Sequence, residues 1–289
     1  MIHEKVYQSP VVKINYAESQ DNEPPFLLLH GGSSRWQSFE VIIPDLSKDY
    51  HIYAPDLRGH GKSGRVPQSY KIQDYEADLI SFIKNVIKKP TIIFGHSLGG
   101  MVGVMLAAHY PEMVKALIIG DSPLSFETIC NHLHQHREMT IQWRDWARMH
   151  SSQLIAQNLK EMLVPVPGKD TPIKAKEIFG ENNPWFDFMG ECLNQNDPDM
   201  LTSIIDDYEA TVKEYDVQKL FPKITCPVLI LRGSEEQGSL ISDEDANNAL
   251  NLLPHAIQIQ ISHVGHALFM QDKDAVVKSV LEFLWSQLS

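Results

Sequence analysis

The chain has 289 residues, of which 43% are hydrophobic and 21% charged, enough apolar material for a sizeable core and too much for an intrinsically disordered segment. A formal net charge of -12, with no long Lys/Arg cluster to offset it, argues against nucleic-acid backbones and anionic membrane surfaces as partners. Cys130, Cys192 and Cys226 are far apart and lack paired ligand spacing, so neither a disulfide framework nor a zinc site is expected, and a reducing compartment fits.

The first residues, Met1-Ile2-His3-Glu4-Lys5-Val6, lack a basic start followed by an apolar stretch. No apolar run approaches the ~20 residues that span a bilayer, and a cytoplasmic protein is expected. Apolar, β-rich runs at 11–16 and 26–30 read as strands, followed by a helical pattern at 35–46 and a strand at 51–54. A helix is predicted over 72–88, a strand over 91–94, a helix over 98–110 closed by Pro111, and a strand over 116–120. Between 123 and 221 the alternation stops. That stretch has helical patterns at 142–149 and 154–162, no convincing strand, and punctuation at Pro165-Val166-Pro167-Gly168 and Asn183-Pro184-Trp185. Strands return at 228–231 and 256–261, with helices at 243–252 and 274–287; Ser242, with Asp245 three residues on, resembles a capping box for the first of these. Alternating strands and helices predict an α/β fold with a doubly wound, mostly parallel sheet, whose core comprises residues 1–122 and 222–289. The intervening 123–221 reads as an inserted helical cap across the sheet's carboxyl edge, where ligands bind in such sheets.

Gly95-His96-Ser97-Leu98-Gly99 stands where one predicted strand gives way to a helix. Glycines two before and two after the serine permit a sharp, strained turn that lifts the hydroxyl above the sheet edge. A serine hydroxyl is a poor nucleophile at neutral pH, so it needs a base and a place to hold the developing oxyanion. His30-Gly31-Gly32 ends an earlier apolar run, and Gly265-His266 follows the last strand, so the parts occur in the chain order of strand-topped hydrolases.

Through Leu28-Leu29-His30-Gly31-Gly32, Ala54-Pro55-Asp56-Leu57-Arg58-Gly59-His60-Gly61-Lys62-Ser63, Gly95-His96-Ser97-Leu98-Gly99-Gly100 and Gly265-His266, the chain resembles the α/β-hydrolase fold family over nearly its whole length outside the middle third. The resemblance implies Ser97 as nucleophile and His266 as general base, with His263 its nearest competitor. A serine at 97 sets aside the haloalkane dehalogenase and epoxide hydrolase branches, which carry aspartate there. The family usually places the third member, an acid, a few residues beyond the penultimate core strand. Here that stretch is Ser234-Glu235-Glu236-Gln237, so Glu236 takes the matching offset, Glu235 is the register alternative, and Asp121, after the strand at 116–120, is the rival. The oxyanion hole is expected from the amides of Leu98 and Gly32, with Ser33 adjacent. His30 and His96 are read as structural.

The resemblance implies hydrolysis of an ester or related acyl bond in a small-molecule substrate. Carbon–carbon bond hydrolysis of diketone-like substrates and ligand sensing on a hydrolase scaffold are the alternatives. Trp143, Trp146, Met139, Trp185 and Phe188 in the insertion favour a small to medium apolar substrate. No cofactor is implied, because no phosphate-binding loop stands outside the elbow. His132, His134 and His136 alternate at i and i+2, which point to different helix faces, so a metal is not expected there.

Overall fold

The computed structural model describes residues 2–149, 151–164 and 171–288. Eight strands form one sheet in the order β1-β2-β4-β3-β5-β6-β9-β10: β1 (His3–Gln8), β2 (Lys13–Glu18), β3 (Pro25–Leu29), β4 (His51–Pro55), β5 (Thr91–His96), β6 (Val114–Gly120), β9 (Val228–Arg232) and β10 (Ala256–Gln260). Pairing is antiparallel for β1 with β2 and for β2 with β4, and parallel from β4 to β10. β3, β4, β5 and β9 are buried along their whole length, as expected of parallel strands covered on both faces. β7 (Leu163–Val164) and β8 (Ile173–Lys174) make a two-residue antiparallel ribbon inside the insertion.

Before the insertion come α1 (Ile43–Leu46), α2 (Ile72–Phe82) and α3 (Leu98–His109). The insertion carries α4 (Phe126–Gln135), α5 (Arg137–Ala147), α6 (Ser152–Glu161), α7 (Ala175–Phe179), α8 (Trp185–Gln195) and α9 (Pro198–Val212). α10 (Val217–Leu220) ends it, and after it follow α11 (Asp243–Leu252), α12 (Leu268–Gln271) and α13 (Lys273–Leu288). One sheet face packs Leu27, Leu29 and Ile93 against α2 and α3 through Leu79, Phe82 and Val102. The other packs Phe26, Leu28 and Phe94 against Phe39, Phe269 and Phe283. A separate small core of Ile155, Leu159, Phe186 and Leu193 holds α6 to α8 in the cap.

Several local expectations shift. The helix predicted over 35–46 is broken into a 3-10 turn at Trp36–Phe39 and α1, because Pro44 stands in the first turn of α1 and cannot donate to a preceding helix. The helix predicted over 72–88 is α-helical only to Phe82 and finishes as a π-turn at Ile83–Ile87. The opening strand β1 was absent from the sequence reading, and β2 runs to Glu18 because it is in register with β1 from Lys13 onward. Ser242 does cap α11, its hydroxyl accepting from the Asp245 amide at 2.9 Å. The punctuation at Pro165-Val166-Pro167-Gly168 lies outside the described residues.

The polar loop after β4 joins core to cap. Asp56 accepts from the amides of Trp36 and Lys62 and from Asn15 Nδ2, each at 2.9 Å. Gly59 O accepts from the Asp197 amide at 2.8 Å, and Tyr70 donates to the Asp197 carboxylate. Arg58 makes a two-pronged, nearly solvent-free pair with Asp78, both bonds 2.6 Å long. Removing one partner strands the other charge in the interior. Asp78→Ala is therefore expected to cost about 3–5 kcal/mol of unfolding free energy in urea denaturation; a loss below about 1 kcal/mol would show that the pair is dispensable.

Candidate active site

The carboxyl ends of β3, β5, β6 and the segments after β9 and β10 meet beneath α4, α5 and α9. Ser97, the first residue after β5, has φ +53° and ψ −119°, a strained conformation for a side chain other than glycine. Its amide donates to Gly120 O at 3.0 Å, and its carbonyl accepts from Ser122 Oγ at 2.7 Å, so β6 and the segment after it hold the turn in place. The flanking glycines are there for space. A Cβ on Gly95 would stand 2.2 Å from Gly99 O, and one on Gly99 would stand 2.2 Å from Leu29 O. The turn can therefore close against β3 only with glycine at both places.

Leu98 is the first residue of α3, and its amide belongs to the first turn, where N–H groups have no intrahelical acceptor. Gly32 lines the same cavity, with nothing within 4 Å of where its Cβ would be. The loop bearing it is tied by His30. The Leu57 amide donates to His30 Nε2 at 2.9 Å, which leaves the proton on Nδ1 to donate to Gly31 O at 2.8 Å. Burial pushes this imidazole down to about 4, consistent with a neutral ring acting as a brace. His96 is likewise pushed down to about 4 by burial, reinforced by repulsion from His266. Its Nε2 donates to the main-chain oxygen of His266 at 2.7 Å, and the two rings lie 4.6 Å apart.

His266 lies beyond β10 and lines the cavity with Ser97. Its Nδ1 meets Asp121 Oδ2 at 2.7 Å. Asp121 is fully buried, one residue past β6, at φ +40°. It also accepts from the Leu240 amide at 3.0 Å and from the Ser239 hydroxyl. Burial, the strongest single influence, would raise this carboxyl. The bonds from His266, Ser239 and Leu240 outweigh it and hold the group below the ordinary carboxylate value.

Glu236, ranked first among the acids from sequence, is not at His266. It lies exposed on a 3-10 turn, Glu235–Gln237, and the carboxylate in place is Asp121. Glu235 is also exposed and is engaged elsewhere, its carboxylate accepting from the Asp243 amide at 2.9 Å at the start of α11. His263, the other candidate base, pairs with Asp272 on the surface at 2.7 Å. The physical reason is the course of the loop after β9: it carries its glutamates outward on a 3-10 turn and brings Ser239 and Leu240 to Asp121, while the residue after β6 stands beside the nucleophile strand β5. The signal for Asp121 was Gly120-Asp121-Ser122-Pro123 directly after an apolar strand, but sequence alone does not reveal that β6 neighbours β5.

The cavity above Ser97 holds about 340 Å³ and is largely apolar, with Met101, Ile129, Met139, Trp143, Leu201 and Ile204 in its wall. Tyr70, Tyr75, His132 and His136 add polar atoms; no Lys, Arg, Asp or Glu lines it among the described residues. His132 is pushed down to about 4, first by burial and then by His136 and His266. One cavity wall thus holds a serine on a strained turn, an imidazole bonded to a buried carboxylate, and the residues Leu98 and Gly32. A hydroxyl, a carboxylate-bound imidazole and main-chain amides are the groups that serine activation and oxyanion binding require.

Residues 24–273 match the family model described as alpha/beta hydrolase fold. The 2-(acetamidomethylene)succinate hydrolase of Mesorhizobium japonicum is 24% identical over 261 residues, covering 90% of this chain and 88% of the relative. Among solved structures, the enol-lactonase from Burkholderia xenovorans aligns with a TM-score of 0.74 at 17% identity, covering 97% of this chain and 99% of that one. An esterase from Exiguobacterium antarcticum aligns with a TM-score of 0.70 at 18% identity, covering 94% and 96%.

Proposed function

The chain belongs to the alpha/beta hydrolase fold family, and from that premise we propose that it hydrolyses an ester or related acyl bond of a small to medium, uncharged and mostly apolar substrate. The single observation that carries the reading is the 2.7 Å contact of a fully buried Asp121 carboxylate with His266 Nδ1, in the cavity that Ser97 lines. With Nδ1–H donating to Asp121, the lone pair of His266 is on Nε2. Ser97 Oγ attacks the acyl carbon while Nε2 takes its proton, and the amides of Leu98 and Gly32 receive the oxyanion. The imidazolium then protonates the leaving alcohol, the ester bond breaks, and an acyl-serine remains. A water molecule gives its proton to Nε2, attacks the acyl carbon, and the acid departs as Ser97 recovers its proton.

We assign residues 1–122 and 222–289 to the core that carries this chemistry and 123–221 to the cap that closes over it. The charge-free wall supports ester cleavage over hydrolysis of an ionised diketone, for which it supplies no cationic partner. The printed names of two similar structures, an enol-lactonase and an esterase, accord with cleavage of an acyl–oxygen bond.

Intact-mass spectrometry after exposure to a small fluorophosphonate, beside turnover of p-nitrophenyl acetate and butyrate, tests the reading. One adduct per chain, absent in Ser97→Ala, together with many turnovers of ester is the expected result. An adduct without turnover would favour a sensor or a carbon–carbon bond hydrolase, and the absence of both adduct and turnover would overturn Ser97 as nucleophile.

A further inference from the structure

His132 and His136 are four residues apart, a spacing that brings side chains to the same helix face. His132 lies on α4 and His136 at its C-terminal cap, and their rings stand 4.4 Å apart, edge to face. Both line the cavity that contains Ser97 and His266. Among the described residues, the hydrogen bonds that involve these two histidines use main-chain atoms: His132 O accepts from the His136 amide at 3.0 Å, and His136 O accepts from Thr140 Oγ1 at 2.9 Å. The imidazoles are thus left to each other and to the cavity. Each neutral ring has one N–H to give and one lone pair to receive with. Half-buried polar groups in an otherwise apolar wall favour a ligand that pairs with them over one that does not.

Resting on the hydrolase reading above, we propose that His132 and His136 form a polar subsite that hydrogen-bonds a second, uncharged oxygen of the substrate, a keto or hydroxyl group remote from the scissile carbonyl. The rest of the wall binds the carbon chain; this pair selects chains that are oxygenated part-way along. An uncharged oxygen is favoured over a carboxylate because no cation lines the cavity, and burial together with His136 and His266 disfavours a charged His132. The two residues determine specificity and take no proton in the reaction.

Binding to Ser97→Ala, followed by tryptophan fluorescence, isolates the subsite from turnover. The probes are ethyl hexanoate, ethyl 4-oxohexanoate, ethyl 5-oxohexanoate and monoethyl adipate. Replacing both histidines with Phe is expected to weaken the better keto ester about tenfold relative to ethyl hexanoate, and His132→Asn is expected to restore part of that difference. In addition, the ring nitrogens of His132 and His136 in Ser97→Ala should shift in 15N NMR with the keto ester and not with ethyl hexanoate, a readout that does not depend on the Phe variants folding. A keto-to-plain binding ratio in the double variant that remains within about twofold of the ratio with both histidines present overturns the proposal. So does an absence of ligand-specific 15N shifts, or a tighter fit of monoethyl adipate than of both keto esters. Failure of the wild type to hydrolyse any ester would instead count against the hydrolase reading, because these binding measurements do not need turnover.

Discussion

Asp121→Asn is expected to lower kcat for p-nitrophenyl butyrate by about 10⁴-fold, with KM nearly unchanged. The carboxylate accepts from His266 Nδ1 at 2.7 Å, and that acceptor role keeps the free lone pair on Nε2. An asparagine amide in its place can donate to Nδ1, which moves the ring proton to Nε2 and removes the base. In contrast, Glu236→Gln should stay within about threefold of the wild type, since that side chain is exposed on its turn. Equal losses in the two variants, or a larger one at Glu236, would return the acid role to the loop after β9.

The same pairing has a signature in stability. The Asp121 carboxyl is held below its ordinary value, so the folded state binds this proton less readily than the unfolded chain. Its contribution is complete above the unfolded value of about 3.9 and is lost as pH falls below it toward the folded value. Asp121→Asn should therefore flatten the acid limb of a denaturation profile while leaving the slope above pH 5 unaltered.

Ser97→Ala and His266→Ala are each expected to lose about 10⁴- to 10⁶-fold in kcat, and the double variant little more than either alone. The nonadditivity follows from the chemistry, because the base has nothing to activate without the hydroxyl and the hydroxyl is inert without the base. Ser97→Ala should keep the wild-type Tm within about 2 °C, since alanine adopts the same φ of +53° with no worse strain and no new atom. His266→Ala also frees space beside His96, whose Nε2 donates to the main-chain oxygen of residue 266 rather than to its side chain, so the brace survives. Measured products of the two single losses that simply multiply in the double variant would sink the paired mechanism.

Much of this protein was legible in order along the chain. The elbow could be read at Ser97 because its glycines answer a local demand, the 2.2 Å clearances at Gly95 and Gly99 that any larger residue would violate. Apolar runs marked β3, β5 and β9, and β6 beyond its exposed Lys115, because strands covered on both faces bury mostly apolar side chains. The arrest of alternation after residue 122 marked the inserted helices for the same reason, as their patterns have helical rather than strand period. What the sequence could not supply was adjacency. Which carboxylate reaches His266 depends on the course of the loop after β9 and on β6 lying beside β5, neither of which leaves a local trace in Gly120-Asp121-Ser122 or in Glu235-Glu236. The role of the cap histidines was hidden likewise. The sequence shows three closely spaced histidines, but only the packing of α4 and α5 over the sheet brought His132 and His136 to the cavity that Ser97 lines, because the direction of a helix face is set by what it is packed against.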